Sequence, residues 1–164
     1  MIFRILAYIN YLIRSKNQHG IHSPFVFDFV TKGLYQKQRN PKKLELNTSD
    51  LDFSKSEEKL LHKILNYFKI DSEFNVIINS TKTSGKIHKI LYYNDLNNLN
   101  IYLLNHNSSV EMLIIRRIHQ SKESEKKWQE IIKIEDATVT MDLFYFGLVF
   151  FRKEQRKEHF IIRV

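Results

Sequence analysis

Apolar positions cluster at the start of the chain, in Met1–Phe3, Ile5–Ile9 and Tyr11–Ile13, broken by Arg4, Asn10 and Arg14. The pattern predicts an amphipathic helix that docks on the body of the protein, with a helix lying on a membrane surface as the alternative. It is too short and too polar to cross a bilayer, and it lacks the basic leader and small-residue cleavage site of a secretion signal. A polar break, Lys16–His22, follows. Ser23 then offers an N-cap and Pro24 a first helical residue, whose missing N–H costs nothing there. Val26, Phe29, Val30 and Leu34 continue at helical spacing. Residues 36–50 are polar and read as a surface connection. Ser54 with Glu57 forms a capping-box pattern. Leu60, Leu61, Ile64, Leu65 and Phe68 make the buried stripe of the helix it opens. His62 falls off that stripe and is expected to be solvated.

Val76-Ile77-Ile78 is a short apolar run that ends in the polar turn Asn79–Gly85. Ile87, Ile90 and Leu91 predict a helix over 86–93. Strand, tight turn and helix form the opening unit of a nucleotide- or cofactor-binding α/β domain, in which backbone N–H groups and a helix N-terminus face the ligand. This turn has one glycine, Gly85, where several usually allow close approach. Its outline is not that of a P-loop: Ser80 replaces the first glycine, and Ile87 stands where Ser or Thr would bind magnesium.

Ile101–Leu104 and Met112–Ile115 read as further strands. Too few residues separate them for a parallel crossover, so they form a hairpin or are not neighbours. Ser121 is a candidate N-cap for a helix over Lys122–Lys133 carrying Trp128, Ile131 and Ile132. Thr138–Phe144 and Gly147–Phe151 are expected to pair antiparallel across the Tyr145–Gly147 turn. His159–Val164 is a last strand. The fold class is α/β, with an N-terminal helical extension over 1–50 and a core over 51–164.

A chain of 164 residues buries enough surface for a real core. It has no cysteine, which excludes disulfides and thiolate chemistry and fits a reducing, cytoplasmic setting. The net charge of +8 points to acidic partners, but the basic residues are dispersed and no nucleic-acid reading module is visible. His19 and His22 lack the further ligands a metal site needs, and no metal is expected.

Three blocks, in order, carry a resemblance. They are HGIHSPFVFDFVTKGLY (His19–Tyr35), SKSEEKLLHKILNYFK (Ser54–Lys69), and IHQSKESEKKWQEI followed by TVTMDLFYFGLVFFRKEQRKEHFIIRV, which lie within Ile118–Val164. Together they cover well over half the chain. They resemble a bacterial O-methyltransferase-like branch of the class I S-adenosylmethionine-dependent methyltransferases. The resemblance implies a reduced Rossmann-like methyltransferase sheet with antiparallel C-terminal strands and S-adenosylmethionine as cofactor. It also implies a glycine turn after the first strand that holds the cofactor's methionine part. An acidic residue ending the second strand would hold the ribose, and acidic residues after the fourth strand would serve the reaction centre.

The sequence departs from that pattern at each place. The cofactor positions fall on Asn79, Ser80, Thr81 and Gly85. Asn105 stands where the ribose carboxylate is expected, and an amide grips two hydroxyls less well. Arg116-Arg117 replace the acidic pair. About one βαβ unit is absent between Asn107 and Glu111, so Ile101–Leu104 and Met112–Ile115 are not expected to flank Val76–Asn79. His119 is the best-placed candidate general base and His106 the second. The expectation is a catalytically degenerate domain. If it is active, it transfers a methyl group to an oxygen or nitrogen of a small molecule. The alternatives are an interaction module that self-associates through the aromatic C-terminal strands (Phe144, Phe146, Phe150, Phe151), or a basic nucleic-acid or anionic-ligand binder using Arg116, Arg117 and residues 152–157.

Overall fold

The computed structural model describes residues 2–36, 52–69, 90–96, 99 and 110–164. The chain divides into two compact units, Met1–Ser15 with Val76–Arg163, and Lys16–Asn75 with Val164. The strand at Val76, the turn Asn79–Gly85 and the strand Ile101–Leu104 lie outside the described residues, as does the flanking relation expected among them.

The larger unit holds a five-stranded mixed sheet. Its strands are β1 (Ile90–Tyr93), β2 (Met112–Arg116), β3 (Val139–Asp142), β4 (Phe146–Phe150) and β5 (Glu158–Ile161), in the spatial order β1-β2-β4-β3-β5. β1 runs parallel to β2, β4 antiparallel to both β2 and β3, and β5 parallel to β3. The architecture is α/β, as the periodicity predicts. The hairpin β3–β4 forms as expected, with Val139 opposite Phe150 and Asp142 opposite Gly147.

Two expectations are corrected here. The helix read over 86–93 is, at Ile90–Tyr93, a strand: Ile-Leu-Tyr-Tyr is a β-favouring run, and pairing Tyr92 with Ile114 buries Tyr92 almost completely. Four residues are too few for periodicity to separate helix from strand. The final strand is parallel to β3 rather than a continuation of the antiparallel set.

One face of the sheet is covered by the helix Lys122–Lys133. Its Ser121 cap accepts the Ser124 N–H at 3.1 Å. Trp128 and Ile131 pack with Leu113, Ile115, Ile118 and Val149. Gly147 lies under the indole, and a Cβ there would stand 2.6 Å from Trp128 Cζ3 and 3.0 Å from Ile118 Cγ2. The glycine thus lets helix and sheet approach closely. On the opposite face Met112, Ile114, Met141, Leu148 and Phe150 are equally buried. Phe144, Phe146 and Phe150 are at most 6% exposed. Phe144, Phe146 and Phe150 are thus spent largely on the chain's own core, and Phe151 is partly buried against the Trp128 cluster.

Helix α1, Ile2–Arg14, belongs to the same unit. It docks through Ala7 and Tyr11 onto Phe144, with Phe3, Leu12, Tyr145 and Ile161 around them. The Tyr11 hydroxyl donates to the Ile162 carbonyl, and Arg163 donates to Ser15 Oγ and the Leu12 carbonyl. The expectation of docking holds. However, the aliphatic residues Ile2, Ile5, Leu6, Ile9 and Ile13 face outward, 49–77% exposed.

In the smaller unit, Ser23 caps helix α2 (Pro24–Asp28), which passes into a π-helical stretch, Phe29–Tyr35. A Cβ at Gly33 would stand 3.0 Å from Phe29 Cδ2 and from Tyr67 Cδ2, so only glycine leaves these rings room. Helix α3, Lys55–Tyr67, carries the full Ser54–Glu57 capping box and buries Leu60, Leu61, Ile64 and Leu65. His62 is half-buried and 3.9 Å from Glu58, not solvated as expected. Among the described residues no helix is long and apolar enough to cross a membrane.

Candidate functional site

β1, β2, β3 and β5 share one direction, so their carboxyl ends lie along one edge of the sheet. In α/β sheets, ligands bind beyond that edge. The residues that follow the strands there are Asn94, Arg117, Leu143 and Ile162. Most of the chemistry-bearing side chains of the larger unit gather along it.

His119 is brought there by the turn after β2, in which the Gln120 N–H bonds the Arg117 carbonyl at 3.1 Å. Its ring is 8% exposed and stacks on Phe144, centroids 5.4 Å apart at 19°. Nε2 lies 2.8 Å from Asp142 Oδ2, at the end of β3. Nδ1 faces Glu125 Oε2, in the first turn of the helix Lys122–Lys133, at 3.5 Å, and makes no closer hydrogen bond. Burial is the largest influence on the ring and favours its neutral form. The Asp142 hydrogen bond and the charges of Asp142 and Glu125 together outweigh it, so the pKa is raised above 6.5. The imidazole sits between two carboxylates that favour its protonated form, tying a loop, a strand end and a helix together.

Asp142 has a second task. Its Oδ1 accepts the Phe144 N–H at 2.8 Å. Phe144 has φ 64°, and Arg117, whose N–H bonds the Tyr145 carbonyl at 2.9 Å, has φ 61°. Left-handed conformations of such residues cost about 1–3 kcal/mol and persist only where the surroundings enforce them. Two of them sit at this edge.

Nearby, His159 Nδ1 lies 2.8 Å from Thr140 Oγ1, and its ring meets the edge of Trp128. Burial pushes its pKa below 6.5. The Asp142 charge opposes this, and Arg14 and His119 add to it. The two histidines beside one aspartate are therefore driven apart in protonation.

A groove of about 580 Å³ lies beside this cluster, reaching it through Phe144, which stacks on His119. Phe3, Arg4, Ile5 and Tyr8 of α1 form one wall, and Gln120, Phe144 and Tyr145 the other. Tyr8 meets Phe144 edge-on at 4.8 Å. The volume suits a small ligand, with an aromatic lining and a guanidinium at one side.

Of the residues singled out by sequence, His119 is at this site. Asn79, Ser80, Thr81, Gly85, Asn105 and His106 lie outside the described residues. His19 and His22 are exposed and belong to the other unit. Among the described residues no group of three or more His, Cys, Asp or Glu side chains is arranged to hold a metal ion. Arg116 corrects another expectation: its side chain is 1% exposed and donates to Asn94 Oδ1 at 3.0 Å, so it is not a surface cation offered to nucleic acid.

Sequence reasoning missed Asp142 and Glu125. A lone aspartate within the otherwise uncharged run Thr138–Phe144 was the available signal, because a buried carboxylate requires a partner. Asp142 is committed to His119 and to the Phe144 N–H. Comparison with protein-family models, curated proteins and solved structures finds no match to this chain.

Proposed function

We propose that this chain is a methyltransferase-like α/β domain that has kept the scaffold and lost the transfer reaction, acting as a binding or interaction module. The observation that carries this reading is the state of His119. A general base needs a nitrogen within about 3 Å of the proton it takes. Here both ring nitrogens face carboxylates, and the ring is sealed against Phe144. The same residue that would serve chemistry serves cohesion. The resemblance of the three sequence blocks and the mixed sheet with parallel strands support the scaffold. The one-glycine turn and the arginine pair support the loss.

Titration calorimetry of the folded chain with S-adenosylmethionine and with its demethylated product tests this. No heat at millimolar ligand is expected. Micromolar binding of either compound would overturn the non-catalytic reading.

A second reading, methyl transfer to an oxygen or nitrogen of a small molecule, draws on the groove whose wall Phe144 stacks on His119. It requires His119 to release Asp142 or Glu125 before a nitrogen is free. A methyl acceptor whose turnover is lost in His119→Gln would establish it.

A further inference from the structure

We infer that the groove between α1 and the Phe144–Tyr145 turn binds a small planar aromatic carboxylate, held as a ligand rather than as a methyl acceptor. Four of the seven described residues that line it, Phe3, Tyr8, Phe144 and Tyr145, are aromatic. Phe144 is the corner at which rings meet. Tyr8 approaches it at 4.8 Å and 67°, and Tyr145 at 5.3 Å and 78°. Rings set so steeply to one another let a flat guest stack on one while its edge meets the face of the next. Tyr8 is 42% exposed, so aromatic surface is left for a guest to cover.

The corner is fixed before any guest arrives. Phe144 is held at φ 64° with its N–H on Asp142 Oδ1, and the Tyr145 carbonyl is held by the Arg117 N–H. Residues kept in left-handed conformations cluster at ligand clamps, and a preformed wall spares the cost of ordering it on binding. On the other side, Arg4 and Tyr8 stand four residues apart on α1, so guanidinium and phenol ring share one face of the helix.

Charge selects the guest. Of the described lining residues only Arg4 is charged. Its guanidinium makes no hydrogen bond or ion pair with a described residue, and neither the Tyr8 hydroxyl nor the Gln120 side-chain amide has a described hydrogen-bond partner. The first turn of α1 carries no acidic residue, so the helix dipole acts with the same sign as Arg4. Aromatic rings alone would suit a quaternary ammonium, but the guanidinium repels a cation. Its planar fork matches a carboxylate through two parallel N–H donors. One positive charge balances one carboxylate, whereas a phosphate dianion would be left half compensated in a lining otherwise uncharged. Arginine, glutamine and phenol are not bases at neutral pH, so the lining holds a guest without activating it.

The inference rests on the reading of the chain as a binding module, in that the guest is not consumed. The two fail separately: S-adenosylmethionine tests that reading, and an aromatic acid alone tests this one. Titration calorimetry of the full chain with naphthoate is the test, against neutral naphthamide and cationic naphthylmethylammonium. Naphthoate is expected to bind saturably, and both controls about tenfold or more weakly. Arg4→Gln, at an exposed position, is expected to weaken naphthoate about tenfold, to leave naphthamide unchanged and to keep the melting temperature. Tyr8→Leu is expected to weaken both. The wild-type preference for naphthoate over naphthamide reads the charge even without a variant. No saturable binding of naphthoate, equal binding of naphthamide, or full naphthoate affinity in Arg4→Gln or in Tyr8→Leu overturns the inference.

Discussion

Replacing His119 by leucine isolates the two-carboxylate clamp. Leucine keeps much of the ring's volume against Phe144 but leaves Asp142 Oδ2 without its 2.8 Å donor, in a side chain only 6% exposed. Removing one partner of a buried ion pair costs about 3–5 kcal/mol. The low end, about 3 kcal/mol, applies here, because the Phe144 N–H still satisfies Asp142 Oδ1 and Glu125 is 30% exposed. The penalty depends on pH with a definite sign. The folded-state pKa of His119 is raised, so its extra stabilisation is complete below the unfolded value near 6.5 and is lost as pH rises through the folded value. Above that, a neutral ring can still donate one hydrogen bond to a carboxylate, worth about 1.5–3 kcal/mol. The leucine variant should therefore lose about 1 kcal/mol more stability at about pH 5.5 than at about pH 9. His159 titrates with the opposite sign: its pKa is lowered, so stability falls as pH drops below 6.5. His119 is one of the charges that lower it, so the leucine variant keeps most of that contribution but relieves part of it below pH 6.5, which subtracts somewhat from the difference. Urea unfolding of wild type and variant at the two pH values measures it. A penalty independent of pH, or larger at high pH, would refute the picture of a protonated ring held between Asp142 and Glu125.

Gly147→Ala is expected to cost about 2 kcal/mol, because the new methyl would overlap a fully buried indole. The cost should largely vanish in a Trp128→Leu background, and thermal melts of the four proteins read the coupling. Ser54→Ala removes the half of the α3 capping box in which Ser54 Oγ accepts the Glu57 N–H at 3.3 Å, and with it the Oγ–Glu57 Oε2 bond at 2.7 Å, while the residue 54 backbone N–H can still donate to Glu57 Oε2. A loss of about 1 kcal/mol is expected by urea unfolding, and no loss would mean the cap is idle.

What the sequence makes legible here is mostly local. Ser23, Ser54 and Ser121 cap helices where the pattern places them. Cap chemistry involves residues three apart, and no distant contact competes with it. The hairpin β3–β4 is legible for the same reason. Ile90–Tyr93 is not, because its strand identity comes from pairing with β2, some twenty residues away. The parallel placement of β5 against β3 is likewise a choice among edges that periodicity does not encode. In α1 the helix is predicted, but its orientation is not. Phe3, Ala7 and Tyr11 are less apolar than the isoleucine stripe, yet Tyr11 finds an acceptor in Ile162 and an aromatic neighbour in Phe144, and those partners decide which side docks. At the site, His119 is visible from sequence as an isolated histidine. Its role is visible only once Asp142 and Glu125 stand on either side of it.

The bond from Tyr11 to Ile162 joins groups 151 residues apart. Closing a loop of that length costs about 4 kcal/mol of chain entropy, so the contact forms only after most of the sheet has paid its own ordering cost. α1 is synthesised early and seated late. While the chain emerges from the ribosome, both the Tyr11 side and the isoleucine side of this helix are uncovered. In the folded molecule, release of α1 is the expected first opening below the global transition, since it breaks the Tyr11 and Arg163 bonds and one aromatic contact cluster while leaving the strand ladders intact. Amide hydrogens of Ala7–Arg14 would then exchange faster than those of β2 and β4, and the groove would open and close with the α1 wall that faces Phe144.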